Sequence, residues 1–129
     1  MIKISHLAIW ARNLESLRDF YMKYFGAASN EKYINPRKGF SSYFLTFGDG
    51  DVALELMHRD GMEDAPTCNT TLGLAHFAIS LGSRDAVDDM TIRLCEDGYK
   101  VLSEPRTTGD GFYESAIADP EGNYVELTI

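Results

Sequence analysis

Apolar residues spaced by polar or small ones from Ile2 to Trp10 predict a strand. Asn13 resembles a helix N-cap, and Leu14, Leu17, Phe20, Tyr21 and Tyr24 follow at helical spacing until Gly26 stops the pattern. Lys32 to Asn35 reads as a short edge strand before Pro36. Phe40 to Phe47 and Val52 to Met57 read as two strands of a hairpin joined by the turn Gly48-Asp49-Gly50-Asp51. Arg59 to Leu72 holds Gly61, Pro66 and several Thr and Asn residues, and supplies a linker at about 61–71. The order then repeats. Gly73 to Leu81 predicts a strand, and Ser83 caps a helix carrying Ala86, Val87, Met90, Leu94 and Cys95, which Gly98 ends. Tyr99 to Leu102, Phe112 to Ala118 and Tyr124 to Ile129 are candidate strands. The expectation is one mixed α+β domain, residues 1–129, of two βαβββ modules at roughly 1–60 and 72–129 that share a core.

The repetition reaches individual residues. Ser5-His6-Leu7-Ala8-Ile9 returns as Ala75-His76-Phe77-Ala78-Ile79, and Leu54-Glu55-Leu56 returns as Val125-Glu126-Leu127. Alternate residues of a strand share a side. Leu7, Ile9, Leu54, Leu56, Phe77, Ile79, Val125 and Leu127 therefore fall on the face suited to the helices. His6, Glu55, His76 and Glu126 all fall on the other, with Ala8, Trp10, Ala53, Met57, Ala78, Ser80, Tyr124 and Thr128. A single His in an apolar strand is most often a hydrogen-bonded core residue, and a Glu between leucines needs a positive partner. Two of each on one face suit a divalent transition ion such as Ni, Co, Zn, Mn or Fe, which offsets the desolvation of both carboxylates.

Composition narrows the function. The 129 residues are 44% hydrophobic and 25% charged, an ordinary globular balance. A net charge of −8 argues against nucleic-acid binding. No apolar run is long enough to span a bilayer and the N-terminus shows no signal-peptide pattern, so a cytoplasmic location is expected. Cys68 and Cys95 are too few for a disulfide framework, and Cys95 is expected to be buried in the second helix. His58, one residue past Met57, faces away from the ligands if its strand continues. Thr107 to Gly111 reads as an ordinary loop.

Ala118-Asp119-Pro120-Glu121-Gly122-Asn123-Tyr124-Val125-Glu126-Leu127 resembles the Asp-Pro-x-Gly-Asn-x-x-Glu-Leu ending of the vicinal oxygen chelate superfamily. That group includes glyoxalase I, methylmalonyl-CoA epimerase, extradiol dioxygenases, and fosfomycin and bleomycin resistance proteins. The resemblance runs from His6 to Glu126 and implies the glyoxalase/bleomycin resistance/dihydroxybiphenyl dioxygenase-type fold. Glyoxalase I enzymes resembling this chain use His, Glu, His, Glu as metal ligands, matching His6, Glu55, His76 and Glu126. Epimerases usually have Gln where this chain has Glu55, and dioxygenases use two His and one carboxylate.

The resemblance implies a metal-dependent lyase or isomerase of the lactoylglutathione lyase type. One divalent ion per site would act as a Lewis acid that stabilises an enediolate, with Glu126 as general base and Glu55 as its near-symmetric counterpart. Family members of this size are usually homodimers acting on small molecules. Bacterial glyoxalase I commonly reads glutathione through an Arg four residues after the first His and an Asn four after the first Glu. Here those positions hold Trp10 and Arg59, so the metal ligands match more fully than the thiol site. Trp10, Met57, Arg59, Glu114 and Tyr124 are the expected pocket residues. The alternatives are a small-molecule binding or antibiotic-resistance protein of the same fold, or an extradiol dioxygenase.

Overall fold

The structure, a computed structural model, describes residues 1–64 and 71–129. Cys68 and most of the expected linker lie outside the described residues. The chain divides into two compact units, Met1–Asp64 and Ala65–Ile129.

In the first unit, β1 (His6–Trp10) leads into α1 (Leu14–Phe25), followed by β2 (Ala28–Ser29), β3 (Tyr33–Asn35), β4 (Phe40–Thr46) and β5 (Ala53–Arg59). The sheet runs β1-β5-β4-β2, with β3 also paired to β4. β1 and β5 are parallel, and β4 and β5 antiparallel. The Asn13 side chain accepts a hydrogen bond from the Ser16 amide at 3.0 Å, closing the first turn of α1. Gly26 ends the helix at φ 64°, a left-handed conformation that glycine adopts without steric cost. Leu14, Leu17, Phe20, Tyr21 and Tyr24 are buried, as are Tyr43, Leu45, Leu54 and Leu56 of the strands α1 covers.

The second unit has β6 (Phe77–Ser80), α2 (Arg84–Glu96), β7 (Val101–Thr107), β8 (Tyr113–Ala118) and β9 (Tyr124–Thr128), in sheet order β6-β9-β8-β7. Ser83 caps α2 by accepting from the Ala86 amide at 3.1 Å. Val87, Thr91 and Leu94 of α2 are buried with Ile117, Val125 and Leu127. The Thr91 hydroxyl bridges the Val87 carbonyl (2.6 Å) and the Ser115 hydroxyl (2.7 Å), which satisfies two polar groups inside this core. Two sheets and two helices in this order make a mixed α+β fold.

The ladders explain where the elements depart from the sequence pattern. β1 starts at His6 rather than Ile2, because its partner β5 begins at Ala53, directly opposite His6. β6 likewise starts at Phe77, opposite Val125, near the beginning of β9. β7 extends to Thr107, beyond the expected Leu102, and carries Pro105. An edge strand with register shifts, as β7 is, tolerates the missing N–H. β2 is too short to leave a periodic signal. Cys95 is exposed, not buried, because Leu94 takes the inward position at that turn of α2. Among the described residues no helix is long and apolar enough to cross a membrane.

Glu15 of α1 ties the helix to the sheet. It accepts from Lys32 Nζ at 2.6 Å and from the Tyr43 hydroxyl at 2.7 Å, and Lys32 and then Tyr43 hold its carboxyl below the usual range. A carboxyl lowered by folding adds stability above its unfolded pKa of about 4.3, and that stability fades as the pH falls through the lower folded value. The group is half exposed, so Glu15→Gln is expected to cost no more than about 1 kcal/mol at neutral pH. Urea titrations at falling pH should show wild type and variant converging below pH ~4; a gap that widens with acid contradicts the assignment.

Candidate metal centre

Strand parity places the four candidate donors. In the first unit β1 pairs with β5 so that His6 lies opposite Ala53 and Ala8 opposite Glu55. His6 and Glu55 are thus diagonal neighbours on the side away from α1, with His6 Nε2 3.5 Å from Glu55 Oε2. The other ring nitrogen, Nδ1, is 3.2 Å from the Ser5 hydroxyl, and the ring meets Phe44 edge-on. Phe44 stands opposite Glu55 on β4.

The second unit repeats the arrangement. Glu126 lies opposite Ala78 in the parallel β6–β9 ladder, and His76, just ahead of β6, brings its Nε2 to 3.1 Å from Glu126 Oε2. Tyr124 packs against the His76 ring. In both units the imidazole is more open than the carboxylate: 43% against 16% exposed in the first pair and 36% against 17% in the second. A sheltered carboxylate beside an accessible imidazole nitrogen is the donor chemistry that a borderline divalent ion takes. The residues therefore fit such an ion as two donor pairs. Among the described residues no cluster of three or more His, Cys, Asp or Glu side chains forms a site that could hold one, so each pair is an incomplete ligand set.

The two carboxylates are not equivalent. On β8, Ala116 stands opposite Glu126, and Glu114, two residues away, shares its face. Burial pushes the Glu126 carboxyl above its usual range; His76 opposes that shift, while Glu114 adds to it through its charge and a hydrogen bond. Arg106, across the ladder from Glu114, acts in the lowering direction. A carboxylate raised in this way is a better proton acceptor near neutral pH.

Asp119 aims β9. Its carboxylate is buried and accepts from the Glu121 amide (2.9 Å), the Asn123 amide (3.0 Å) and the Asn123 side chain (2.9 and 3.1 Å). Gly122, at φ 84°, donates to the Asp119 carbonyl at 2.9 Å. This closed turn between β8 and β9 sets the register that puts Glu126 beside His76. The sequence pattern did not single out Asp119 as the anchor of this turn; an Asp followed by Asn four residues later was the available signal.

The remaining candidates divide by face. Trp10, Met57 and Arg59 lie on the His6 side of the first sheet, and Tyr124 and Glu114 on the Glu126 side of the second. β5 continues through His58, which turns to the opposite side and brings Nδ1 to 2.8 Å from the Ala11 carbonyl, joining the ends of β1 and β5. Thr108 to Gly111 form a turn closed by Thr108 and Phe112.

Residues 3–127 match the Glyoxalase/Bleomycin resistance protein/Dioxygenase superfamily, and the chain belongs to that family. Among curated proteins it is 29% identical over 112 residues to the mitochondrial methylmalonyl-CoA epimerase of Bos taurus, covering 83% of this chain and 61% of the epimerase. The crystal structure of a glyoxalase family protein from Enterococcus faecalis superposes with a TM-score of 0.80 at 26% identity, covering 98% of this chain and 97% of the other. Glyoxalase I from Zea mays superposes with a TM-score of 0.80 at 24% identity, a likeness of fold, and this chain covers 44% of its length.

Proposed function

We propose that this chain is a divalent-metal-dependent, glyoxalase I-like lyase or isomerase that moves a proton between adjacent carbons of a small oxygen-chelating substrate. The observation that carries the reading is the matched His–Glu pair on the helix-free face of each sheet, His6 with Glu55 and His76 with Glu126. In the proposal His6, Glu55, His76 and Glu126 together hold one ion, such as Ni, Co, Zn or Mn, and the protein works as a homodimer. When bound, the ion supplies Lewis acidity to adjacent substrate oxygens. Glu126 takes the carbon-bound proton and returns it to the neighbouring carbon, so no atom is gained or lost overall. Its raised carboxyl pKa supports that role, and Glu114 is placed to hydrogen-bond the protonated form. Glu55 stands where epimerases of the family usually have Gln, which favours glyoxalase-like over epimerase-like chemistry.

The test is reconstitution of stripped protein with Ni, Co, Zn or Mn, followed by assay on methylglyoxal combined with glutathione and with other thiols. At least one metal–thiol pair is expected to turn over, with metal bound in fixed stoichiometry. Absence of turnover for every pair defeats the proposal. A second reading, a binding or resistance protein of the same fold, is favoured by Trp10 and Arg59 at the positions that read glutathione in bacterial relatives. It requires tight ligand binding with no turnover.

A further inference from the structure

We infer that the cleft between α2 and β7 of the second unit binds a small organic cation, an ammonium carried on an apolar body. The cleft has a volume of about 390 Å³, within the range of roughly 300–1,000 Å³ in which small-molecule sites fall. One wall is a single stripe of α2, formed by Asp88, Thr91, Ile92, Cys95 and Glu96. The other wall is Val101, Glu104 and Pro105 of β7.

The sequence leaves this space open. Val87 and Leu94 turn the main apolar side of α2 onto the sheet, so the neighbouring stripe meets only the edge strand β7. The register of β7 against β8 shifts between Val101 and Ser103, and again between Ser103 and Arg106. Ser103 and Arg106 pair with Ala116 and Glu114 on the Glu126 side, whereas Val101 pairs with the buried Ile117. The two shifts bring Glu104 and Pro105 to the helix side with Val101, as bulges re-aim side chains. Thr91, Cys95 and Val101 are short, and together they leave the volume unfilled.

Two features set the chemistry of the ligand. The centre of the cleft is apolar, and Ile92 there is 55% exposed, a surface that an apolar body would cover. Its charge has one sign: three carboxylates line it, with no Lys, Arg or His. The short connection 97–100 turns the chain back, so Glu96 lies at the Val101 end and Asp88 at the Glu104 end. Carboxylates thus stand at both ends. The Tyr113 hydroxyl donates to Asp88, and Arg84 over the Tyr113 ring at 4.4 Å offsets part of the charge there. Among the described residues neither Glu96 nor Glu104 forms a salt bridge, so both remain available to a cation. The cleft lies on the helix side of the second sheet and Glu126 on the other, so the site stands independently of the lyase reading.

Cys95 reports on the cleft directly, because it lines the helix wall and is exposed. Cys68→Ser leaves it the single thiol of the chain. In that variant, alkylation of Cys95 by uncharged iodoacetamide is timed with phenethylamine, phenylethanol, phenylacetate or ethylamine present. Phenethylamine is expected to slow the reaction saturably, at concentrations at least about fivefold lower than phenylethanol or ethylamine, with phenylacetate the weakest. Added salt should narrow that gap, since the carboxylates are open to screening. Replacing both acids, Glu96→Gln with Glu104→Gln, should abolish the preference for the amine over the alcohol. Both positions are exposed, so the fold is kept. No saturable slowing by phenethylamine, equal protection by phenylethanol or ethylamine, tighter binding of phenylacetate, or a preference unaltered in the doubly substituted protein overturns the site. No metal or turnover enters the assay, so that failure is distinct from failure of the lyase proposal.

Discussion

Glu126→Gln is expected to reduce turnover at least about a hundredfold while leaving the melting temperature within a few degrees of wild type. The amide keeps the shape and a ligand oxygen of the carboxylate but cannot accept the substrate proton. Burial and Glu114 raise the Glu126 carboxyl, whereas the counterpart Glu55 faces Phe44 across the β4–β5 ladder. Environments this different predict unequal roles for two carboxylates at equivalent strand positions. Parallel assay of Glu55→Gln makes the comparison decisive. If Glu55→Gln is the more damaging change and both variants retain metal, the base belongs to the first pair, and unaltered turnover in Glu126→Gln removes Glu126 from the chemistry.

Asp119→Ala is expected to cost about 2–4 kcal/mol of folding stability. The loss leaves the Glu121 and Asn123 amides and the Asn123 side chain without their buried acceptor. The same change loosens the start of β9, so metal affinity should fall although residue 119 is not a proposed ligand. Denaturant titration and metal binding measured on one preparation check both effects. A variant with wild-type stability would show that the ladder alone holds the β8–β9 register.

Much of this site is legible in the chain because strands write their faces into the sequence at a period of two. Glu55 between Leu54 and Leu56, and Glu126 between Val125 and Leu127, identify the polar side with no further information. The caps Asn13 and Ser83 were equally plain, since each is a short polar side chain directly ahead of an apolar helical stripe. What stayed hidden depends on partners distant in sequence. The start of β1 is set by where β5 begins, the tolerance of Pro105 by β7 lying at a sheet edge, and the outward turn of Cys95 by Leu94 taking the core. The raised carboxyl of Glu126 also escaped the pattern, because burial and Glu114, two strand positions along a neighbouring ladder, act on it only in the folded sheet.

The alternation also bears on errors during synthesis and refolding. Were β9 to dock one residue out of step against β8, Glu126 would enter the apolar interior and Leu127 would face water. A molecule assembled wrongly in this way loses its hydrophobic interior and its carboxylate position together. Misassembled chains should therefore reach proteases and chaperones as visibly defective molecules, not persist as folded but inert ones.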